Sequence, residues 1–156
     1  MLIEPTYSSK QYWLTVLSAG FIIGVLSSIL YISFYWLLYV QQSFLFSLIY
    51  IIPLLGSTIT TAFFKHKFVW KEFSYGRAFA MSFFTGMLAA LCLSIILFIA
   101  YNSFLESRTD LYNNIDDETL QRLMSPLAIS LSMFFINVIL SLFYSLIFAI
   151  FAKRKI

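Results

Sequence analysis

The 156 residues include only 11% charged side chains against 61% apolar ones, with a mean hydropathy of +0.88 and a net charge of +3. Water-soluble domains carry about a quarter charged residues, so a large soluble domain is excluded. Residues 11–64, 78–105 and 123–152 contain no Asp, Glu, Lys or Arg.

These uncharged runs suit helices in a bilayer. A hydrocarbon core of about 30 Å needs about 20 apolar helical residues per crossing, and only helices or closed barrels satisfy their backbone there. Barrel strands would alternate in segments of about ten residues, whereas these runs are continuous. The composition therefore predicts an all-α integral membrane four-helix bundle in a single domain covering residues 1–156.

The first run is too long for one helix and is interrupted at Gln41 and Gln42, so it reads as a hairpin with spans at 13–39 and 44–64. A cleaved signal peptide has a positive leader and a short apolar stretch. Here Glu4 precedes Lys10 and the apolar run is longer, so the first span is expected to be retained. Within it Gly20, Gly24 and Ser28 recur at four-residue spacing on one face. Such stripes let membrane helices approach closely. Pro53 in the second span should kink it, with Gly56 adding local freedom and Thr58, Thr60 and Thr61 returning hydroxyls to the freed carbonyls.

The connection after the second span interleaves Lys65, His66, Lys67, Trp70 and Lys71 with Phe73, Tyr75 and Arg77. Aromatic rings settle near lipid headgroups and cations attract anionic lipid. Lys65, Lys67, Trp70, Lys71, Tyr75 and Arg77 are accordingly candidate lipid-interface residues, preferred over nucleic-acid contacts because two spans flank the segment. Gly76 is expected to permit the turn into the third span, at 78–101. That span carries a second small-residue stripe, Ser82, Gly86, Ala90 and Ser94, and a lone Cys92 read as a small buried thiol.

A polar segment at 102–125 follows, with Asp116, Asp117 and Glu118 suited to the positive end of a short helix. It lacks the glycine and spaced ligands of an EF-hand and reads as a solvated acidic lid. Ser125-Pro126 is an N-cap followed by proline in the first turn, opening the last span at 126–152. Asn137, Ser141, Ser145 and Ala149 form its stripe. Asn137 is the most polar side chain deep in a span, and its amide is expected to bond a Ser or Thr on another helix. For all three stripes, packing within one bundle is preferred over a pore lining or a partner-binding face.

Orientation follows from the cations, because short loops rich in Lys and Arg are retained in the cytoplasm. With both termini inside, the cytoplasmic side holds eight of the ten: Lys10, Lys65, Lys67, Lys71, Arg77, Lys153, Arg154 and Lys155. Only Arg108 and Arg122 fall outside.

The run Phe73-Ser74-Tyr75-Gly76-Arg77-Ala78-Phe79, the polar external segment, the final helix and the basic tail Lys153-Arg154-Lys155 resemble the family called domain of unknown function 4199. These are small multi-pass membrane proteins common in Bacteroidetes. The resemblance extends from about Tyr12 to the C-terminus and implies the inner membrane of a Gram-negative cell, with no catalytic residues to carry over.

Chemistry is sparse. No His, Cys or carboxylate cluster has metal-ligand spacing, no nucleophile has a recognisable base, and no glycine loop cradles phosphate. His66 is the only histidine. The expected function is a noncatalytic structural or accessory membrane protein acting through helix packing, without cofactor, metal or nucleic acid. Its expected partners are lipids and either a second copy or another membrane protein. The alternative is a small oligomeric transporter or channel.

Overall fold

A computed structural model describes residues 7–37, 43–69, 73–105 and 125–153. Within them the chain forms α1 (Ser9–Leu37), α2 (Ser43–Phe68), α3 (Tyr75–Ala100) and α4 (Pro126–Ala152), with a π-helical turn at Tyr101–Leu105 continuing α3. Among the described residues three stretches are long and apolar enough to cross a membrane: Ser9–Phe34, Tyr75–Ser103 and Pro126–Ala152, of 26, 29 and 27 residues. At 1.5 Å per residue even the first reaches about 39 Å, more than the hydrocarbon thickness.

The helix starts follow from local chemistry. Before α1, Ser8 Oγ accepts from the Gln11 amide at 3.2 Å while Gln11 Oε1 accepts from the Ser8 amide at 3.1 Å. This reciprocal capping box satisfies two otherwise orphan donors. Tyr7 and Tyr12 flank it as a hydrophobic staple, their rings stacked at 6.2 Å. The capping box starts α1 four residues before the expected 13. Ser74 caps α3 by accepting from Arg77 N, and Ser125 caps α4 by accepting from Ala128 N with Pro126 in the first turn.

Two expectations are corrected here. Gly76 is not a turn residue: it lies in the first turn of α3, after the serine cap. Helix α2 continues through Pro53 to Phe68, one turn past the apolar run, and its threonines do not serve the proline as expected. The hydroxyls of Thr58, Thr60 and Thr61 return to Leu55, Gly56 and Ser57, downstream of the proline. None reaches the carbonyl of residue 49, the one Pro53 leaves without a donor. The basic last turn Lys65-His66-Lys67 suits the negative end of a helix, so the cations extend α2 where they were expected to end it.

Side-chain contacts fix the directions. Tyr12 bonds the Arg77 carbonyl, Gly24 lies against Cys92 and Tyr31 bonds Tyr101, so α1 and α3 run parallel. Ser82 meets Ser145 and Ser94 meets Ser130, so α3 and α4 are antiparallel. Phe64 meets Tyr12 and Gly56 meets Ile23, so α2 opposes α1. Helix α3 is central and packs against the other three, whereas α1 and α4 scarcely touch. The start of α1, the end of α2, the start of α3 and the end of α4 therefore share one end of the bundle, which gathers Lys10, Lys65, Lys67, Arg77 and Lys153.

Small polar residues share the interior with the apolar core, while many large apolar side chains face outward. Buried positions include Ser27, Ser28, Ser57, Thr61, Ser82, Thr85, Ser94, Ser130, Asn137, Ser141 and Ser145, while Phe21, Ile59, Phe135, Phe143, Ile147 and Phe151 are more than half exposed. An apolar surface on this scale is unusual for a soluble monomer. Hydrocarbon solvates Leu, Ile and Phe as well as a protein core does, so small residues that let backbones approach take the contact faces.

Candidate functional site

Two regions concentrate distinctive chemistry: the small-residue seams of α3 and the basic, aromatic end of the bundle. Helix α3 has two working faces. Towards α1, a Cβ added at Gly20 would stand 2.8 Å from Leu88 Cβ and 3.1 Å from the Thr85 carbonyl. One added at Gly24 would stand 2.5 Å from Cys92 Cβ and 2.8 Å from the Ala89 carbonyl. Real Cβ atoms do not approach other atoms so closely, so both glycines are required by close helix packing. Ser28 lies one turn further on and donates to the Gly24 carbonyl at 2.8 Å, which satisfies its hydroxyl within α1.

Towards α4, Ser145 Oγ donates to Ser82 Oγ at 3.0 Å and Ser94 Oγ donates to the Ser130 carbonyl at 2.8 Å. Between them Gly86 takes the Ser141 side chain directly against its Cα, and Ala90 is fully buried. The stripes on α1, α3 and α4 are thus occupied within one chain. Thr85 Oγ1 and Ser141 Oγ are buried without a hydrogen-bond partner. Asn137 departs from expectation: its amide donates to the Met133 carbonyl of its own helix at 2.9 Å. A side chain of that length reaches the carbonyl one turn back, so it need not cross the interface. Cys92 is free and only partly buried.

Gly56 was read only as a source of flexibility, yet an added Cβ there would meet Ile23 at 2.7 Å. It is the small residue that seats α2 on α1. Its isolation from any four-residue series hid it.

At the basic end an aromatic cluster closes the bundle. Phe64 is fully buried and meets Tyr7 edge-on at 5.0 Å and Tyr12 at 5.9 Å, with Phe73 at 6.3 Å. Val16, Val69, Ala78, Met81, Ala149 and Ala152 complete this core. Edge-on aromatic pairs gain electrostatically beyond their buried area, so the cluster ties the N-terminal segment to all four helices.

Arg77 is tethered to this cluster. Its Nη1 donates to Tyr7 Oη at 3.3 Å, its guanidinium carbon lies 5.8 Å from the Tyr7 ring centroid, and its carbonyl accepts from Tyr12 Oη at 3.1 Å. Tyr75 also turns to the protein, donating to the Leu146 carbonyl of α4 at 3.1 Å. Both candidate lipid-interface residues remain exposed, and each also carries a long-range contact within the protein. Lys67 Nζ lies 5.3 Å from the Phe63 and Phe68 ring centroids, while Lys65 and His66 line a cleft of about 450 Å³ with Phe148 and Phe151. Trp70, Lys71 and the acids Asp116, Asp117 and Glu118 lie outside the described residues.

A smaller cleft, of about 260 Å³, opens between the starts of α1 and α3 and is lined by Tyr7, Ser9, Tyr12, Gly76, Arg77 and Ala80. An added Cβ at Gly76 would meet nothing within 4 Å, so the backbone of the first turn of α3 is open there. Sequence reading missed Tyr7 and Tyr12, although the Ser8-x-x-Gln11 capping box between them was readable. No protein-family model, curated protein or solved structure matches this chain.

Proposed function

We propose that this chain is a four-span bacterial inner-membrane protein with both termini in the cytoplasm, and that it is a noncatalytic packing unit associated with lipid and with another membrane protein. The domain of unknown function 4199 resemblance belongs to the same proposal. The observation that carries it is the glycine and serine seam interlocked along α3 together with large apolar side chains turned outward. Such a bundle uses its small residues for its own cohesion, and its outer surface is suited to hydrocarbon.

The orientation is supported by the gathering of Lys10, Lys65, Lys67, Arg77 and Lys153 at one end, since basic segments remain cytoplasmic. For α2, the 26-residue length and the polar, basic last turn support a crossing that ends at the same interface. In a Cys92→Ala background, His66→Cys in intact spheroplasts should resist a membrane-impermeant maleimide and react after permeabilisation. Reaction before permeabilisation contradicts the orientation.

The functional reading is tested by purifying the complex from native membranes in mild detergent through a C-terminal tag and measuring its mass and composition. A stoichiometric second membrane protein is the expected result. A defined homo-oligomer that conducts a solute after reconstitution would replace this reading with a transporter or channel.

A further inference from the structure

We propose that the cleft between the starts of α1 and α3 binds a phosphate group, carried either by an anionic phospholipid at the membrane surface or by a soluble phosphate. The proposal rests on the reading that this end of the bundle lies at a membrane interface only for the choice of lipid as the source.

The cleft combines three requirements for phosphate. The first is a pre-positioned cation. A guanidinium has five N–H donors in a planar fork that matches phosphate oxygens, and Arg77 spends Nη1 on Tyr7 while the Tyr7 ring lies 5.8 Å away. Two contacts on one side of the fork leave its remaining donors oriented at little further entropic cost.

The second is a set of neutral donors around that cation. Tyr7 Oη accepts from Arg77 and so retains its own proton for a ligand. Ser9 contributes a hydroxyl, and Gly76 leaves the start of α3 uncovered, where the first-turn amides ahead of Arg77, whose own is held by the Ser74 cap, have no helical partner. The parallel starts of α1 and α3 both carry the positive end of a helix dipole, which reinforces the field without being needed for the site.

The third is local charge and shape. Five Lys and Arg side chains occupy this end among the described residues. The cleft has many times the volume of one water. Tyr12 and Ala80 form apolar wall beside the charged rim, an arrangement suited to a headgroup whose chains continue along the bundle. Lys67 differs in kind: its ammonium rests against two phenylalanine rings away from the cleft, and serves as an internal control.

The full-length protein in neutral detergent is titrated with phosphatidylglycerol and, separately, with inorganic phosphate, reading bound lipid by native mass spectrometry and phosphate by thermal shift. Arg77→Gln should lower phosphatidylglycerol retention about tenfold, as expected for loss of a charge-assisted contact. Gly76→Leu, which fills the cleft while keeping Arg77, should do the same, and Lys67→Gln should retain wild-type binding. A midpoint raised by inorganic phosphate in wild type and not in Arg77→Gln identifies a soluble phosphate as a source; retention of lipid alone identifies the headgroup.

Equal loss in Lys67→Gln would reduce the effect to diffuse charge and overturn the site, as would undiminished binding in Gly76→Leu. Because binding is read in detergent, failure here leaves the orientation intact, and a reversed orientation in the maleimide experiment leaves phosphate binding intact.

Discussion

Gly86→Ala should lower the thermal midpoint of the detergent-solubilised protein by roughly 2–12 °C, and adding Ser141→Gly should recover most of the loss. The Ser141 side chain rests directly against Gly86, and an added Cβ would also stand 2.9 Å from Ser141 Cβ. Overpacking a filled interface costs about 1–3 kcal/mol, and for a chain of this size each kcal/mol moves the midpoint by about 2–4 °C. Removing the Ser141 side chain vacates that space and sacrifices no hydrogen bond, because its buried hydroxyl has no partner. Its own cost is the lower helix propensity of glycine, about 0.5–1 kcal/mol. The double-mutant cycle should therefore give a favourable coupling above about 1 kcal/mol. Simple additivity would mean that α3 and α4 do not meet at these residues.

Phe64→Ala should cost about 3–5 kcal/mol, the usual range for emptying a buried phenylalanine site. The ring is fully buried and touches Tyr7, Tyr12 and Phe73, so its loss opens the end of the bundle as well as leaving a cavity. Trypsin cleavage after Lys10 should accelerate, because Tyr7 and Tyr12 hold that segment against α2. Phe64→Leu fills most of the volume and should cost less than about 1.5 kcal/mol. An unchanged midpoint and unchanged proteolysis in Phe64→Ala would contradict the aromatic closure.

What the sequence made readable, and what it hid, follows from the range of each signal. Exclusion of charge from hydrocarbon acts on every residue of a span, so the gaps at 11–64, 78–105 and 123–152 located the helices. The start of α4 was exact because Ser125-Pro126 is local cap chemistry. Helix α1 starts one turn before the apolar run because its capping box, Ser8 with Gln11, lies in the polar stretch ahead of it. Helix α2 runs one turn past the apolar run because the helix dipole favours basic residues in the last turn.

Partner choice was harder to read. Four-residue spacing gave Gly20 and Gly24 a face, but no feature of that face says it meets α3 in parallel, and α1 and α3 are separated in sequence by the whole of α2. The immediate neighbours of Arg77 point to the interface but not to Tyr7, whose contact with it spans 70 positions. Asn137 was assigned a partner on another helix because a buried amide needs one, and the carbonyl one turn back answered the same need.

The most direct test of the central account, that the small-residue stripes are used within one chain, is a disulfide trap in native membranes. With Cys92→Ala as background, Ser82→Cys and Ser145→Cys are combined, since their hydroxyls lie 3.0 Å apart, and the membranes are mildly oxidised. Mass spectrometry of a mixture of isotopically light and heavy chains then separates cross-links within a chain from those between chains. The account predicts an efficient disulfide joining light to light and heavy to heavy, on a protein that migrates as a monomer under denaturing conditions. Mixed light–heavy disulfides in a covalent dimer would contradict it, by showing that the seam between α3 and α4 belongs to two copies of the chain.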